Sequence, residues 1–215
     1  MRRFILSFIL LFTFTLAFSQ YTLIKPELYI GTNQGVNLWP NVSFKPSVAQ
    51  NFDVRYKGGF TLRYVNLKYF GFQTELNYSQ QGWSETSATG ERYSHRFDYL
   101  ELPILAHIYF GKKNTKFFIN LGPEIRYMVS DSATPSFSAN AGVQQEKEIE
   151  NRFDYGITGG LGVEFRTKKA GAFQLEARYH FGLGNVFNST EKDYFTASNN
   201  QAISVSIVYL FNVLK

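Results

Sequence analysis

Hydrophobic and polar residues alternate along most of this chain, and apolar residues at helical spacing are absent. The clearest case runs from Phe173 to Phe181, where every second residue is apolar and the residues between them are polar or charged. Alternation at period two places the two kinds of side chain on opposite faces of a β-strand. Such a strand needs an apolar surrounding on one face and water or ion pairs on the other.

Eight segments of this kind follow one another, separated by clusters of Gly, Asn, Lys, Ser and Thr. We place them approximately at residues 26–35, 57–66, 70–83, 95–110, 116–128, 152–166, 172–184 and 201–211. The connections alternate in length: long ones lie near 36–56, 84–94, 129–151 and 185–200, and short ones at 66–69, 111–115 and 167–171. The pattern predicts an all-β fold, an eight-stranded antiparallel up-and-down β-barrel.

The N-terminal residues 1–19 have the pattern of a secretory signal peptide. Arg2 and Arg3 precede an apolar run from Phe4 to Phe18, and residues 17–19 fit a small-x-small cleavage site. That run of about 15 residues is shorter than the roughly 20 that a transmembrane helix needs. We therefore predict a signal peptide over residues 1–19 and a barrel domain over residues 20–215.

Alternation alone does not say which face of the sheet points inward, so a soluble lipocalin-like barrel or β-sandwich is the alternative. Three features favour a transmembrane barrel: charged residues on the polar face of nearly every strand, aromatic residues near strand ends, and the glycines Gly156, Gly160 and Gly162 on a polar face. In such barrels short turns face the periplasm and long loops face outside, so both termini are expected on the periplasmic side.

Composition agrees with an exported membrane protein. Aromatic residues are 18% of the 215 residues and charged residues are also 18%, below the roughly 25% usual for soluble domains. The absence of cysteine excludes disulfides, thiolate metal sites, cysteine nucleophiles and a lipidated cysteine. The net charge of +5 falls to +3 once Arg2 and Arg3 of the leader are removed. Because the charge is mild and scattered, we do not expect nucleic-acid binding.

Four stretches in the predicted strands resemble a known protein family in their residues, their order and their spacing. They are residues 74–82 (TELNYSQQG), 99–107 (YLELPILAH), 120–126 (NLGPEIR) and 178–184 (RYHFGLG). Across essentially the whole mature chain they make it similar to the PorT-like family of outer-membrane β-barrel domains. The resemblance implies an eight-stranded barrel in the outer membrane of a Gram-negative bacterium. It implies no single activity; the name-giving branch takes part in type IX secretion and gliding.

Turning the polar faces inward gathers ten ionisable side chains in the lumen: Arg63, Glu75, Glu101, His107, Glu124, Arg126, Glu164, Glu176, Arg178 and His180. An eight-stranded barrel is only wide enough to be filled by its own side chains. Arginine binds carboxylates with two parallel hydrogen bonds, and an unpaired buried charge costs several kcal/mol. We predict a salt-bridge network that fills the lumen; the alternative is a narrow porin-like pore for ions or small solutes.

His95 is the one candidate for a catalytic residue, because it begins a strand at the outer rim beside Arg96 and Asp98. Its spacing to other residues defines no catalytic triad, and no paired histidine spacing indicates a metal site. The Gly-rich residues 159–162 lie inside a strand and not ahead of a helix, so they are not a phosphate-binding loop. We therefore predict a protein that is not an enzyme and needs no cofactor or metal.

The expected function is that of a structural or partner-binding component of the outer membrane, with a pore or an accessory role in type IX secretion as alternatives. Barrels of this kind end on an aromatic residue that the insertion machinery reads, which points to Tyr209 and Phe211 here. The expected partners are outer-membrane lipid, the barrel-insertion machinery, and a protein or polysaccharide at the extracellular loops.

Overall fold

The computed structural model describes residues 22–45, 54–86, 92–133, 151–167, 170–185 and 197–214. Eight antiparallel strands pair in chain order, and the last pairs with the first to close a barrel. The strands are β1 Leu23–Lys45, β2 Arg55–Leu67, β3 Phe70–Thr86, β4 Arg92–Phe110, β5 Thr115–Ala133, β6 Phe153–Arg166, β7 Ala172–Asn185 and β8 Ala197–Asn212. The predicted eight-stranded up-and-down barrel is confirmed.

The outer face of the barrel is apolar. Along β7, Phe173, Leu175 and Tyr179 point outward and are exposed, whereas Gln174 and Glu176 between them are buried in the lumen. The same division runs through the other strands, so large exposed apolar side chains surround the barrel. A soluble monomer does not expose apolar surface of this extent. Within the described ranges, no helix is long and apolar enough to cross a membrane.

The short connections lie together at one end of the barrel. Lys68 and Tyr69 join β2 to β3, residues 111–114 join β4 to β5, and residues 167–171 join β6 to β7. Gly111 has a φ of 136°, a conformation that side chains with a Cβ rarely adopt, so glycine is needed to begin its turn. Because β1 begins and β8 ends at this end, the described chain also starts and finishes there.

At the opposite end the strands are longer than the sequence pattern indicates. The prediction that residues 36–45 and 197–200 are loops is wrong, because β1 and β8 stay paired as far as Lys45 opposite Ala197. Likewise, β4 begins at Arg92 and β5 continues to Ala133, within the predicted loops 84–94 and 129–151. Outside the part of the barrel whose outer face is apolar, a strand can have polar residues on both faces. The alternation therefore stops there while the backbone pairing continues.

Candidate functional site

The inside of the barrel is an ionic network. The structure buries all ten of the ionisable side chains that the polar faces assign to the lumen, with exposed fractions from 0% to 6%: Arg63, Glu75, Glu101, His107, Glu124, Arg126, Glu164, Glu176, Arg178 and His180. Buried charges are stable only when they are paired and hydrogen-bonded, so their partners decide what the lumen can do.

Arg63 of β2 reaches across the lumen near the short-turn end. Its Nη1 donates to Glu164 Oε2 at 2.6 Å and its Nε donates to Gln73 Oε1 at 2.8 Å. Its Nη2 donates to Gln174 Oε1 at 2.9 Å. One guanidinium therefore connects β2 with β3, β6 and β7.

Arg178 of β7 forms the second hub. Two parallel hydrogen bonds of 2.8 Å join its Nη1 and Nη2 to the two carboxylate oxygens of Glu75 on β3. Its Nη2 also lies 2.9 Å from Glu176 Oε2. The amides Asn77 and Asn120 donate to these two carboxylates at 2.8 and 2.9 Å. Both carboxylates are thus held by a charge and by neutral donors, the arrangement that a buried ion pair needs.

Arg126 of β5 forms the third hub, toward the long-loop end. Its Nε donates to Glu124 Oε1 at 2.5 Å, and its Nη2 lies 3.1 Å from Glu101 Oε1. Glu101 Oε2 in turn accepts a 2.6 Å hydrogen bond from Lys57 Nζ. The Arg126 guanidinium also lies over the ring of Tyr99, 5.9 Å from its centroid. This hub joins β2, β4 and β5.

Glycines on the inner face of β6 make room for these side chains. A Cβ added to Gly160 would lie 2.5 Å from Glu176 Oε1, and one added to Gly162 would lie 2.5 Å from the ring of Phe118. Separations this short do not occur between non-bonded atoms, so any larger residue would displace the neighbour. The glycines therefore allow the ionic and aromatic side chains of adjacent strands to fill the lumen.

Apolar side chains share both ends of the lumen with polar ones. At the short-turn end they are Tyr29, Val65, Tyr109, Phe118 and Leu210, and at the long-loop end they are Phe97, Tyr99 and Met128. The Arg166 guanidinium lies 5.4 and 5.1 Å from the ring centroids of Tyr29 and Tyr109, and it pairs with Glu27 at 3.3 Å. The interior is therefore packed along its axis, as expected for eight strands.

The three histidines lie in separate places. His107 Nδ1 is 2.7 Å from Asn120 Oδ1, and His180 Nδ1 is 3.2 Å from Glu124 Oε1. His95 lies near the long-loop end, where its Nε2 is 3.9 Å from Asp131 Oδ2. Among the described residues, no three His, Asp or Glu side chains are grouped in a way that could hold a metal ion. His95 and Asp131 alone do not supply a nucleophile, a base and an orienting group.

The structure adds lumen residues that the sequence analysis missed. Lys57, Arg166 and several buried amides, among them Gln73, Asn77, Asn120 and Gln174, contribute hydrogen bonds to the network. The sequence pattern could have identified Lys57 and Arg166. Lys57 is separated from Arg63, and Arg166 from Glu164, by an even number of positions in the same strand, so each pair lies on one face. The amides are uncharged, so a prediction based on ionisable side chains does not include them. They are needed as much as the cations, because every buried carboxylate oxygen needs a hydrogen-bond partner.

Tyr209 and Phe211, the residues expected to form the insertion signal, lie on the outer face of β8. The Tyr209 ring is 5.0 Å from the ring of Phe173 on the neighbouring strand. Both therefore belong to the apolar surface at the short-turn end.

Several solved structures are similar to this chain. The outer membrane protein OprG from Pseudomonas aeruginosa is similar with a TM-score of 0.54 and 11% identity, over 86% of this chain and 96% of that chain. Neisserial surface protein A has a TM-score of 0.49 and 10% identity, over 87% and 100%. Ail, the attachment invasion locus protein of Yersinia pestis, has a TM-score of 0.41 and 11% identity, over 86% and 97%. A search of curated proteins finds no match.

The family comparison extends over most of the sequence. The model of the outer membrane protein beta-barrel domain matches residues 12–188. This range contains β1 to β7 in full and thus most of the closed sheet. The chain therefore belongs to the family of the outer membrane protein beta-barrel domain, and it is an outer-membrane protein.

Proposed function

We propose that this protein is a non-enzymatic structural or partner-binding component of the outer membrane, with a lumen closed by salt bridges. The observation that carries this proposal is the set of three guanidinium hubs, Arg63, Arg126 and Arg178, each bonded to carboxylates within the lumen. An ion that crossed the barrel would have to separate these pairs. Each charge left unpaired there costs several kcal/mol, so the closed state is strongly favoured.

A narrow pore for ions or small solutes is the second candidate. The polar lining favours this candidate, because buried carboxylates, guanidiniums and amides line most of the described lumen. A pore would require the ionic network to open transiently, whereas the apolar side chains at both ends of the lumen favour a packed interior. Solute flux into vesicles separates the two candidates.

The experiment is a vesicle-swelling assay with the refolded barrel, using small sugars as test solutes and an open porin as the positive control. We expect swelling equal to that of empty vesicles, because the lumen is filled. Swelling that increases with the amount of folded barrel would support the pore and refute the closed lumen.

The proposal includes an orientation of the barrel in the membrane and a partner at each of its two ends. Because short turns of such barrels face the periplasm, we propose that both termini are periplasmic and that the connections at the other end face outside. The extracellular connections would then bind a protein or polysaccharide, and β8 with Tyr209 and Phe211 would be read by the insertion machinery.

The similarity to the PorT-like family supports an accessory role in type IX secretion as one such partnership. Loss of type IX cargo from the medium of a strain lacking this chain would test that role.

A further inference from the structure

A stretch of the lumen wall carries no side chains. Gly156 of β6 lies between Glu124 of β5 and Gly182 of β7 in the hydrogen-bonding direction. Asn200 of β8 comes next, since a Cβ added to Gly182 would lie 3.2 Å from Asn200 Cβ. Two adjacent glycines thus separate the carboxylate of Glu124 from the amide of Asn200. We call this stretch of wall the glycine gap.

Four buried polar atoms without a partner border the glycine gap. Glu124 Oε2, Asn200 Oδ1 and both ring nitrogens of His180 have no hydrogen bond to any residue that the structure describes. Their residues are 1%, 1% and 3% exposed, so bulk water does not satisfy them. A buried polar atom without a partner is destabilising, and four together indicate a missing ligand.

The contacts of Asn200 identify its free atom, and two short distances locate the His180 ring. Asn200 Nδ2 donates to Tyr99 Oη at 3.1 Å and to Asp154 Oδ2 at 2.9 Å, so the free amide atom is the oxygen. His180 Nδ1 lies 3.2 Å from Glu124 Oε1 without a hydrogen bond between them. The His180 ring lies against the glycine gap, because a Cβ on Gly156 would be 2.8 Å from His180 Cε1.

The charges around the glycine gap do not balance. Two cations, Lys57 and Arg126, pair with the carboxylates of Glu101 and Glu124. The third carboxylate, Asp154, is buried and is held by neutral donors, Asn200 Nδ2 at 2.9 Å and its neighbouring backbone N–H at 2.8 Å. Within the described residues, this part of the lumen thus has one carboxylate more than it has Lys and Arg side chains.

We propose that the glycine gap binds one monovalent metal cation, Na⁺ or K⁺. Glu124 Oε2 and Asn200 Oδ1 are hard oxygen ligands of the kind such ions take, and a neutral His180 ring has one nitrogen that can accept a hydrogen bond from a water molecule on the ion. One positive charge neutralises the excess carboxylate, whereas a divalent ion would reverse the imbalance. This inference goes beyond the proposed function, because it concerns what completes the ionic network and not whether the barrel conducts.

Thermal unfolding of the refolded mature chain in detergent tests the site. Melting followed by circular dichroism is compared in NaCl, KCl and choline chloride at equal ionic strength, because the methyl groups on the choline nitrogen keep oxygen ligands from coordinating its charge. We expect Na⁺ or K⁺ to raise the melting temperature by about 2–4 °C over choline, with saturation as concentration rises. Identical melting in the three salts, or a rise caused by divalent ions alone, would overturn the proposal.

Two variants of the site and one control variant locate the effect. Asn200→Ala removes a ligand, and Asn33→Ala removes an equally buried amide elsewhere in the lumen, one that donates to Thr61 and Asn77. Both should melt earlier, but Asn200→Ala alone should lose the difference between Na⁺ or K⁺ and choline. Glu124→Gln keeps the shape of the side chain and should also lose that difference, which covers the case of a poorly folding Asn200→Ala. A cation effect that persists in both site variants would overturn the proposal.

Discussion

Arginine suits the lumen hubs because its planar fork gives several donors in fixed directions. Arg178 uses two nitrogens on Glu75 and shares one of them with Glu176, while Arg63 reaches three other strands. A lysine at either position would offer one point charge on a flexible stem and would leave carboxylate oxygens without donors. The residue type is therefore part of how the strands are held together across the lumen.

Arg178→Met should lower the free energy of unfolding by about 3–5 kcal/mol, because it leaves Glu75 and Glu176 buried without their cation. Urea unfolding of the refolded barrel measures this difference. Lys116→Met is the matched control, since the Lys116 amine donates to Gly111 O at the exposed turn and should matter by less than about 0.5 kcal/mol. Equal, small effects in the two variants would show that the buried pairs contribute little.

The inward direction of the lumen side chains could be predicted from sequence, but their pairing could not. Period-two alternation puts Arg63, Glu164 and Arg178 on the inner faces without any knowledge of the sheet. It does not say how high each residue lies in the barrel, because that depends on the stagger between strands. The contact between Arg63 and Gln174, 111 residues apart, is a product of that stagger.

At the scale of elements, β6 is the strand in which backbone space matters most. Three of its inward positions are glycine, and each lies under a side chain from a neighbouring strand. The period-two pattern placed these glycines in the lumen, but their partners, His180, Glu176 and Phe118, follow from the register. The sequence did not predict how far the strands extend toward the long loops, because backbone pairing continues there after the side-chain alternation has stopped.

Gly162→Ala should destabilise the barrel by about 1–3 kcal/mol, since its Cβ would meet the Phe118 ring at 2.5 Å and the backbone oxygen of Leu175. The control is Gly159→Ala in the same strand, where the nearest atom to an added Cβ is Leu121 Cδ1 at 3.4 Å. Gly159→Ala should change the free energy of unfolding by less than about 0.5 kcal/mol. The expectation fails if the two alanines have the same effect on urea unfolding.

Leu161→Arg tests the apolar outer face. Leu161 is 66% exposed and lies part-way along β6, on the apolar outer face that we expect to meet hydrocarbon. An arginine there should cost about 2–4 kcal/mol in refolding into lipid vesicles, while Tyr69→Arg at the short-turn end should cost about 0–1 kcal/mol. Equal costs at the two positions would mean that the outer face does not meet hydrocarbon.

At the scale of the whole molecule, closure of the sheet and filling of the lumen support each other. A closed barrel leaves no unpaired strand edge in lipid, and its narrow interior must then be packed by its own side chains. The closed fold could be predicted from the even number of segments and the alternating loop lengths. Whether the long loops bind a partner could not be predicted, because their sequence has no pattern that selects one chemistry.

The orientation of the chain is testable on intact cells. An epitope tag inserted after Asn140, between β5 and β6, should bind antibody on intact cells. A tag fused after Lys215 should bind only once the outer membrane is permeabilised, because β8 ends beside the short turns. The reverse pattern of labelling would place the termini outside.

Single-channel recording in planar bilayers tests the closed lumen most directly. The refolded mature barrel, with folding confirmed by a heat-dependent gel shift, should give no conductance steps, because we propose that the ion pairs of Arg63, Arg126 and Arg178 close the lumen. Reproducible steps in the folded protein, with a size altered by Arg126→Ala, would contradict a closed lumen and make ion conduction the function to pursue.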